Sequence, residues 1–308
     1  MDELLIIVGP TAVGKTELAL ALAERINAEI ISADSMQVYR GMDIGTAKPS
    51  PDERARIPHH LLDVADPREE FSAGDFLRLA EDAIADIRRR GKVPLVVGGT
   101  GLYVRALTEG LFDGPKADWP LRDSLMEKER SEGEGTLYKM LKEADPDAAS
   151  RIHPSDLRRI IRALEVYRKE GRPISERHQE HRAASGGRPV RIAGLTRDRA
   201  ELYRRIEMRV DTMMEAGFIE EVKTLKEMGC TRGMVSMQAL GYKQVLARLD
   251  GEYTLDEAVG LIKRDTKRYA KRQFTWFNAE KRVRWVDLSG SSEATETLRG
   301  LEKALEIF

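Results

Sequence analysis

The chain has 308 residues, 41% of them hydrophobic, a formal net charge of −1 and a single cysteine. Its longest aliphatic runs, Leu4–Val8 and residues 95–97, fall far short of the roughly 20 apolar residues a membrane-spanning helix needs, so no such span is expected. Cys230 alone can form neither an intramolecular disulfide nor a multi-thiolate metal site, and it receives no role.

The chain opens Met1-Asp2-Glu3 and passes straight into the first aliphatic run, with no basic stretch or small-residue cleavage site, so a cytoplasmic location is expected. The near-zero charge averages over opposed blocks. Residues 151–182 hold nine Lys or Arg against five Asp or Glu, and residues 263–284 hold nine against two. These are the stretches suited to phosphate contacts.

In chain order, Leu4–Val8 reads as a short buried strand, residues 9–16 as a loop, 17–26 as a helix and 29–32 as a second strand. A helix over 72–90 leads into a compact aliphatic strand at 94–97, followed by Gly98, Gly99 and Gly101. This βαβ pattern predicts an α/β fold with a parallel sheet of the P-loop NTPase type. From 116 the pattern changes to charged helical segments broken by Pro and Gly, with little strand character, and residues 190–195 return to strand. The expected organisation is a core formed by 1–115 and 190–308, interrupted by a helical insertion at 116–189. Long helices are expected over 199–228 and 254–278, and a last strand over 282–288.

Gly9, Pro10, Thr11, Ala12, Val13, Gly14, Lys15 and Thr16 fit G-x-x-x-x-G-K-S/T between a strand and a helix, the context that a P-loop requires. Backbone N–H groups, the positive end of the following helix and the Lys15 ammonium all favour a polyphosphate there, and the Thr16 hydroxyl is placed to ligate Mg²⁺. A P-loop does not name the reaction. A nucleotide kinase or hydrolase calls for a later strand ending in a Mg²⁺-holding Asp, whereas 94–97 runs into Gly98-Gly99-Thr100-Gly101. Asp34, just beyond the second strand, belongs at the ligand crevice of such a sheet. A carboxylate beside phosphates is repelled unless Mg²⁺ or a proton-bearing substrate lies between, which suggests a chemical role; a local turn contact is the alternative. Residues 41–49 read, by themselves, as no more than a surface connection.

Six blocks in order carry a specific likeness: GPTAVGKT at 9–16, SADSMQVYRGMDIGTAKP at 32–49, VGGTGLYVRAL at 97–107, RRIIRALEVY at 158–167, MQALGYKQ at 237–244 and TKRYAKRQFTWF at 266–277. With them the sequence resembles the bacterial type of the tRNA dimethylallyltransferase (tRNA isopentenyltransferase) family. The resemblance implies transfer of a dimethylallyl group from dimethylallyl diphosphate to N6 of the adenosine 3′ of the anticodon, releasing diphosphate. It implies that Thr11, Lys15 and Thr16 stabilise the departing diphosphate with Mg²⁺, and that Asp34 takes the N6 proton. Thr100 and Arg122 fall where the family places substrate-contacting groups. For tRNA the resemblance assigns Asp34, Ser35, Met36 and Gln37, together with Arg158, Arg159, Ile160, Ile161 and Arg162. Relatives often have Gln where this chain has Arg158, which fits a phosphate contact better than a base contact.

A basic stripe adds physical support for nucleic acid. Lys263 and Arg264, Lys267 and Arg268, and Lys271 and Arg272 repeat every four residues and form one cationic helix face with only Asp265 among them. The expected partners are a tRNA anticodon stem-loop and dimethylallyl diphosphate, without a membrane, for a monomer. No zinc is expected, because no terminal Cys/His cluster is present. A kinase, which would consume ATP, a transferase acting on free adenine nucleotides, and an RNA-binding protein with a vestigial P-loop are the competing readings.

Overall fold

The computed structural model describes residues 3–184, 186–290 and 294–307. All five residues of β1 (Leu4–Val8) are buried. A strand apolar on both faces belongs in the middle of a sheet covered on both sides. The chain continues through α1 (Lys15–Ile26), β2 (Ala28–Ala33), α2 (Pro51–Arg56), β3 (His59–His60), α3 (Ala73–Arg89), β4 (Val93–Gly98) and α4 (Gly101–Glu109). Five helices follow: α5 (Trp119–Glu132), α6 (Thr136–Ala144), α7 (Pro146–Ala149), α8 (Leu157–Glu170) and α9 (Ile174–Ala184). The last part holds β5 (Val190–Thr196), α10 (Arg199–Glu215), α11 (Phe218–Glu227), α12 (Tyr242–Leu249), α13 (Leu255–Asn278), β6 (Val283–Asp287) and α14 (Ala294–Ala304).

The six strands lie in the order β3-β2-β4-β1-β5-β6, and every neighbouring pair is parallel. Strand alternation sorts the core: Leu5 and Ile7 point into one cluster with Leu22, Ile206 and Leu301, while Leu4, Ile6 and Val8 point into another with Phe76, Val104 and Phe277. Helices thus cover both faces, as a parallel sheet requires. Among the described residues no helix is long and apolar enough to cross a membrane.

Two compact units result, a core formed by the residues up to Thr108 and from Arg188 onward, and a helical unit, Glu109–Gly187. The helical unit starts before the expected position 116 because Phe112 packs on its core of Leu125, Leu141, Ile160 and Leu164, and Arg162 donates to the Pro115 carbonyl at 2.8 Å. The expected helix over 199–228 is two helices, α10 and α11, separated at Gly217, whose φ of 93° ends the first.

Residues 41–49 are not a loose connection. Glu221 on α11 accepts from the N–H groups of Asp43, Ile44 and Gly45 at 2.9, 2.7 and 3.2 Å, and from the Tyr242 hydroxyl at 2.6 Å. The Lys48 ammonium is fully buried and donates to the Tyr39 carbonyl, Asp43 and Asp63 at 2.6–2.8 Å. One carboxylate thus replaces water for four donors, so Glu221→Ala is expected to lower the unfolding free energy by about 1–3 kcal/mol in urea denaturation, the cost of leaving part-buried donors unpaired. An unchanged midpoint would show that water replaces the carboxylate without loss.

Candidate active site

The P-loop runs from the end of β1 to the start of α1. Gly14 sits at φ 112°, where a side chain is strained, and turns the chain into the helix. The loop carbonyls are held by cations. Lys15 Nζ donates to the carbonyls of Gly9 (2.9 Å) and Pro10 (2.8 Å), Arg205 Nε to that of Ala12 (2.9 Å) and Arg197 Nε to that of Val13 (3.3 Å). With these oxygens engaged, the first N–H groups of α1 stay available to an anion at the helix's positive end.

Asp34 follows β2 directly and Thr100 follows β4. Asp34 Oδ1 accepts from the backbone N–H of Met36 at 2.9 Å and of Gln37 at 3.4 Å, while Oδ2 has no hydrogen-bond partner among the described residues. Thr100 Oγ1 accepts from the Ser35 N–H at 3.0 Å, and its own N–H reaches the Ala33 carbonyl at 3.1 Å, tying the two strand ends together. The turn contact weighed for Asp34 is thus made by one oxygen, and the other is left to the cavity.

Asp34 and the P-loop face a cavity of about 740 Å³ whose lining includes Thr11, Ala12, Gly14, Lys15, Thr16, Asp34, Ser35, Met36 and Gln37, with Thr100 set behind Ser35 and outside the lining. Its opposite wall comes from α10, α11 and α13: Arg205 and Arg209 supply charge, Val210, Met213, Phe218 and Ile262 an apolar surface, and Tyr269, Arg272 and Gln273 the remainder. Gly9, Pro10 and Val13 shape the loop from behind, and Val13 is buried. Arg205 and Arg209 lie outside the six sequence blocks, and the block at 266–277 contains Gln273 without marking it as a site residue. They are found only through the packing of α10 and α13 over the strand ends.

Electrostatics in the cavity favour an anion. Burial pulls Lys15 down to about 8; Arg209 pushes the same way and Asp34 opposes. Burial also lowers Arg209, but a guanidinium starts too high to discharge near neutrality. No group of three or more His, Cys, Asp or Glu among the described residues is arranged to hold a metal ion.

The remaining expected residues divide. Gln37 is saturated by the protein: Ser32 Oγ donates to its Oε1 at 2.9 Å, and its Nε2 donates to the carbonyls of Thr46 and Ala47 at 3.3 and 3.2 Å. Arg122 lies in the helical unit, paired through two nitrogens with buried Glu165 at 2.8 and 2.9 Å and stacked over Trp119. Ile160 and Ile161 cannot present side chains to a partner, since both are buried in the helical core. Arg162 is committed to Glu165 and Pro115, leaving Arg158 and Arg159 as the exposed residues of that group.

The stripe on α13 is also less uniform than its spacing suggests. Lys263 pairs with Asp211 and Lys267 with Glu207, both acids on α10, while Arg264 and Arg268 share Asp265. Lys271 and Arg272 have no carboxylate partner among the described residues. Of the aromatics that follow, Phe277 is core and Phe274 is partly exposed against Trp285.

The value of about 8 for Lys15 generates a pH test. A bound diphosphate favours the ammonium, so a lysine that has lost its proton must regain one on binding. Diphosphate affinity, relative to a Lys15→Arg variant whose charge does not titrate, is expected to fall by up to about tenfold per pH unit above that value. A ratio that stays flat from pH 7 to 9.5 in calorimetric titrations would contradict it.

The sequence model of the IPP transferase family matches residues 37–280, and that of isopentenyl transferases matches residues 2–63. The chain is 56% identical over 285 residues, 92% of each chain, to tRNA dimethylallyltransferase 2 of Geotalea uraniireducens. It is 52% identical to the tRNA dimethylallyltransferase of Thermodesulfovibrio yellowstonii, over 94% of this chain and 92% of that one. Among solved structures, the full-length tRNA isopentenylpyrophosphate transferase of Bacillus halodurans is 43% identical with a TM-score of 0.71, covering 100% of this chain and 99% of that one. A eukaryotic dimethylallyltransferase acting on tRNA is 33% identical with a TM-score of 0.80, over 94% of this chain and 75% of that one. On this identity and coverage, the chain belongs to the tRNA dimethylallyltransferase (IPP transferase) family.

Proposed function

We propose that this protein transfers a dimethylallyl group from dimethylallyl diphosphate to N6 of the adenosine 3′ of the anticodon in tRNA. The observation that carries the reading is the free oxygen of Asp34 facing the same cavity as the P-loop. A base and an anion cradle lining one cavity suit displacement of diphosphate by a protonated nucleophile. The N6 lone pair forms a bond to C1 of the prenyl group, the C1–O bond breaks, and its electron pair leaves with diphosphate. Asp34 Oδ2 accepts the N6 proton, while the Met36 and Gln37 N–H groups hold Oδ1 in place.

Lys15, the N–H groups at the start of α1, Arg205 and Arg209 are the groups suited to the leaving diphosphate. The apolar wall of Val210, Met213, Phe218 and Ile262 suits the five-carbon tail. Magnesium binds typically through one or two protein groups, with waters and substrate phosphates completing its shell. The donor set fits that habit, with the Thr16 hydroxyl as the protein ligand, and the ion would neutralise charge on the diphosphate. The protein is taken to act as a monomer in the cytoplasm, where tRNA is found.

For tRNA, Ser35 and Met36 line the cavity beside Asp34, Arg158 and Arg159 supply phosphate contacts from the helical unit, and Lys271 and Arg272 supply them from α13. Lys267 and Arg268 contribute through a groove between α10 and α13 that also holds Arg199, Lys263 and Arg264. Arg122 supports the helical unit through Glu165.

Incubation with Mg²⁺, dimethylallyl diphosphate and either unmodified tRNA or AMP, followed by nucleoside mass analysis, tests the reading. Prenylated adenosine from tRNA is expected; product from AMP alone would instead mark a transferase of free nucleotides. Asp34→Ala should slow single-turnover transfer by about 10² to 10⁴ with tRNA affinity nearly unchanged. Lost affinity with normal chemistry would remove Asp34 from that role. Lys271→Ala should reduce the slope of log affinity for tRNA against log salt by about 1. An unchanged slope would take Lys271 out of the interface.

A further inference from the structure

Gln273 lies on α13 and is almost fully buried. The two ends of its amide are spent on two different strand ends. Oε1 accepts from the Thr11 N–H at 2.9 Å, and Nε2 donates to the Gly99 carbonyl at 2.9 Å. The Thr11 N–H is one end of a planar peptide whose other end is the Pro10 carbonyl. That carbonyl accepts from Lys15 Nζ at 2.8 Å. The peptide between Pro10 and Thr11 is therefore gripped from both sides, by Gln273 on the N–H and by Lys15 on the oxygen. Rotating it to release one contact breaks the other.

Gly99 is fitted to the same amide. A Cβ there would come within 2.2 Å of Gln273 Nε2, and its next nearest neighbours lie at 3.4 Å. A side chain at position 99 would thus have to displace that amide. The Ala12 and Val13 carbonyls are held by Arg205 of α10 and by Arg197 just before that helix; Gln273 is the contact that reaches the loop from α13, the helix that also carries Lys271 and Arg272.

We infer that Gln273 is a positioning residue for the diphosphate site: by fixing the Pro10–Thr11 peptide against the end of β4, it sets the carbonyls that aim the Lys15 ammonium and the face that Thr11 shows to the cavity. The inference rests on the P-loop being the diphosphate site, and it does not depend on what is prenylated.

The test measures binding of inorganic diphosphate directly, beside KM for dimethylallyl diphosphate, KM for tRNA and thermal stability. Gln273→Met, of similar size without polar ends, should weaken diphosphate binding and raise the dimethylallyl diphosphate KM by about tenfold, leaving the tRNA KM within about twofold. Gly99→Ala, which displaces the amide without touching Thr11, should reproduce that selective defect. In a double-mutant cycle the Gly99→Ala effect should largely vanish on a Gln273→Ala background, where the space is free. Normal diphosphate binding in Gln273→Met, additive effects in the cycle, or a parallel loss of both KM values with melting temperature would each overturn the role. If Gln273→Met cannot be purified, Gly99→Ala and the cycle decide. Wild-type protein that binds diphosphate but prenylates nothing would refute the proposed function and leave this inference standing.

Discussion

The site depends on the adjacency of three parallel strand ends. Because β2, β4 and β1 are neighbours running the same way, the segments leaving their C-terminal ends must emerge side by side. Those segments are the P-loop, the turn of Asp34 and Ser35, and the turn of Gly99 and Thr100. Hydrogen bonds then convert proximity into register: Thr100 binds both Ala33 and Ser35, and Gln273 binds both Thr11 and Gly99. A one-residue slip of any strand would reverse its buried faces, so the hydrophobic core holds the chemistry in place.

Charge is distributed around that frame in a way that composition conceals. Four loop carbonyls take Lys15, Arg197 and Arg205 as partners, concentrating positive charge where N–H groups and a helix terminus already favour an anion. Asp34 faces this cluster and favours the charged form of both Lys15 and Arg209.

The same principle corrects the reading of the basic helix. Six cations at helical spacing suggest a single uniform face, but α10 brings Asp211 and Glu207 against Lys263 and Lys267 and Asp265 takes Arg264 and Arg268, leaving Lys271 and Arg272 as the members without a carboxylate partner among the described residues. The 158–162 segment divides likewise, since amphipathic packing turns Ile160 and Ile161 inward and leaves Arg158 and Arg159 outside.

Local pattern alone was enough for β1, the P-loop, α1, the position of Asp34 at a strand end and the interruption of the sheet by a helical unit. Each follows from short-range rules: strand burial, glycine conformation, helix initiation. Nor did it take coordinates to see that the six blocks name one family. Tertiary structure decided what no window of sequence contains. Arg205, Arg209 and Gln273 reach the cavity over separations of about 170 residues or more from the Asp34 and P-loop segments they face, as the Thr11–Gln273 bond illustrates with a separation of 262. The loop at 41–49 became a fixed wall through Glu221, Lys48 and Gln37, and Gly217 divided a helix whose periodicity continued across it. Periodicity states which side of a helix is polar; which acid, carbonyl or phosphate that side meets is set by the element packed against it.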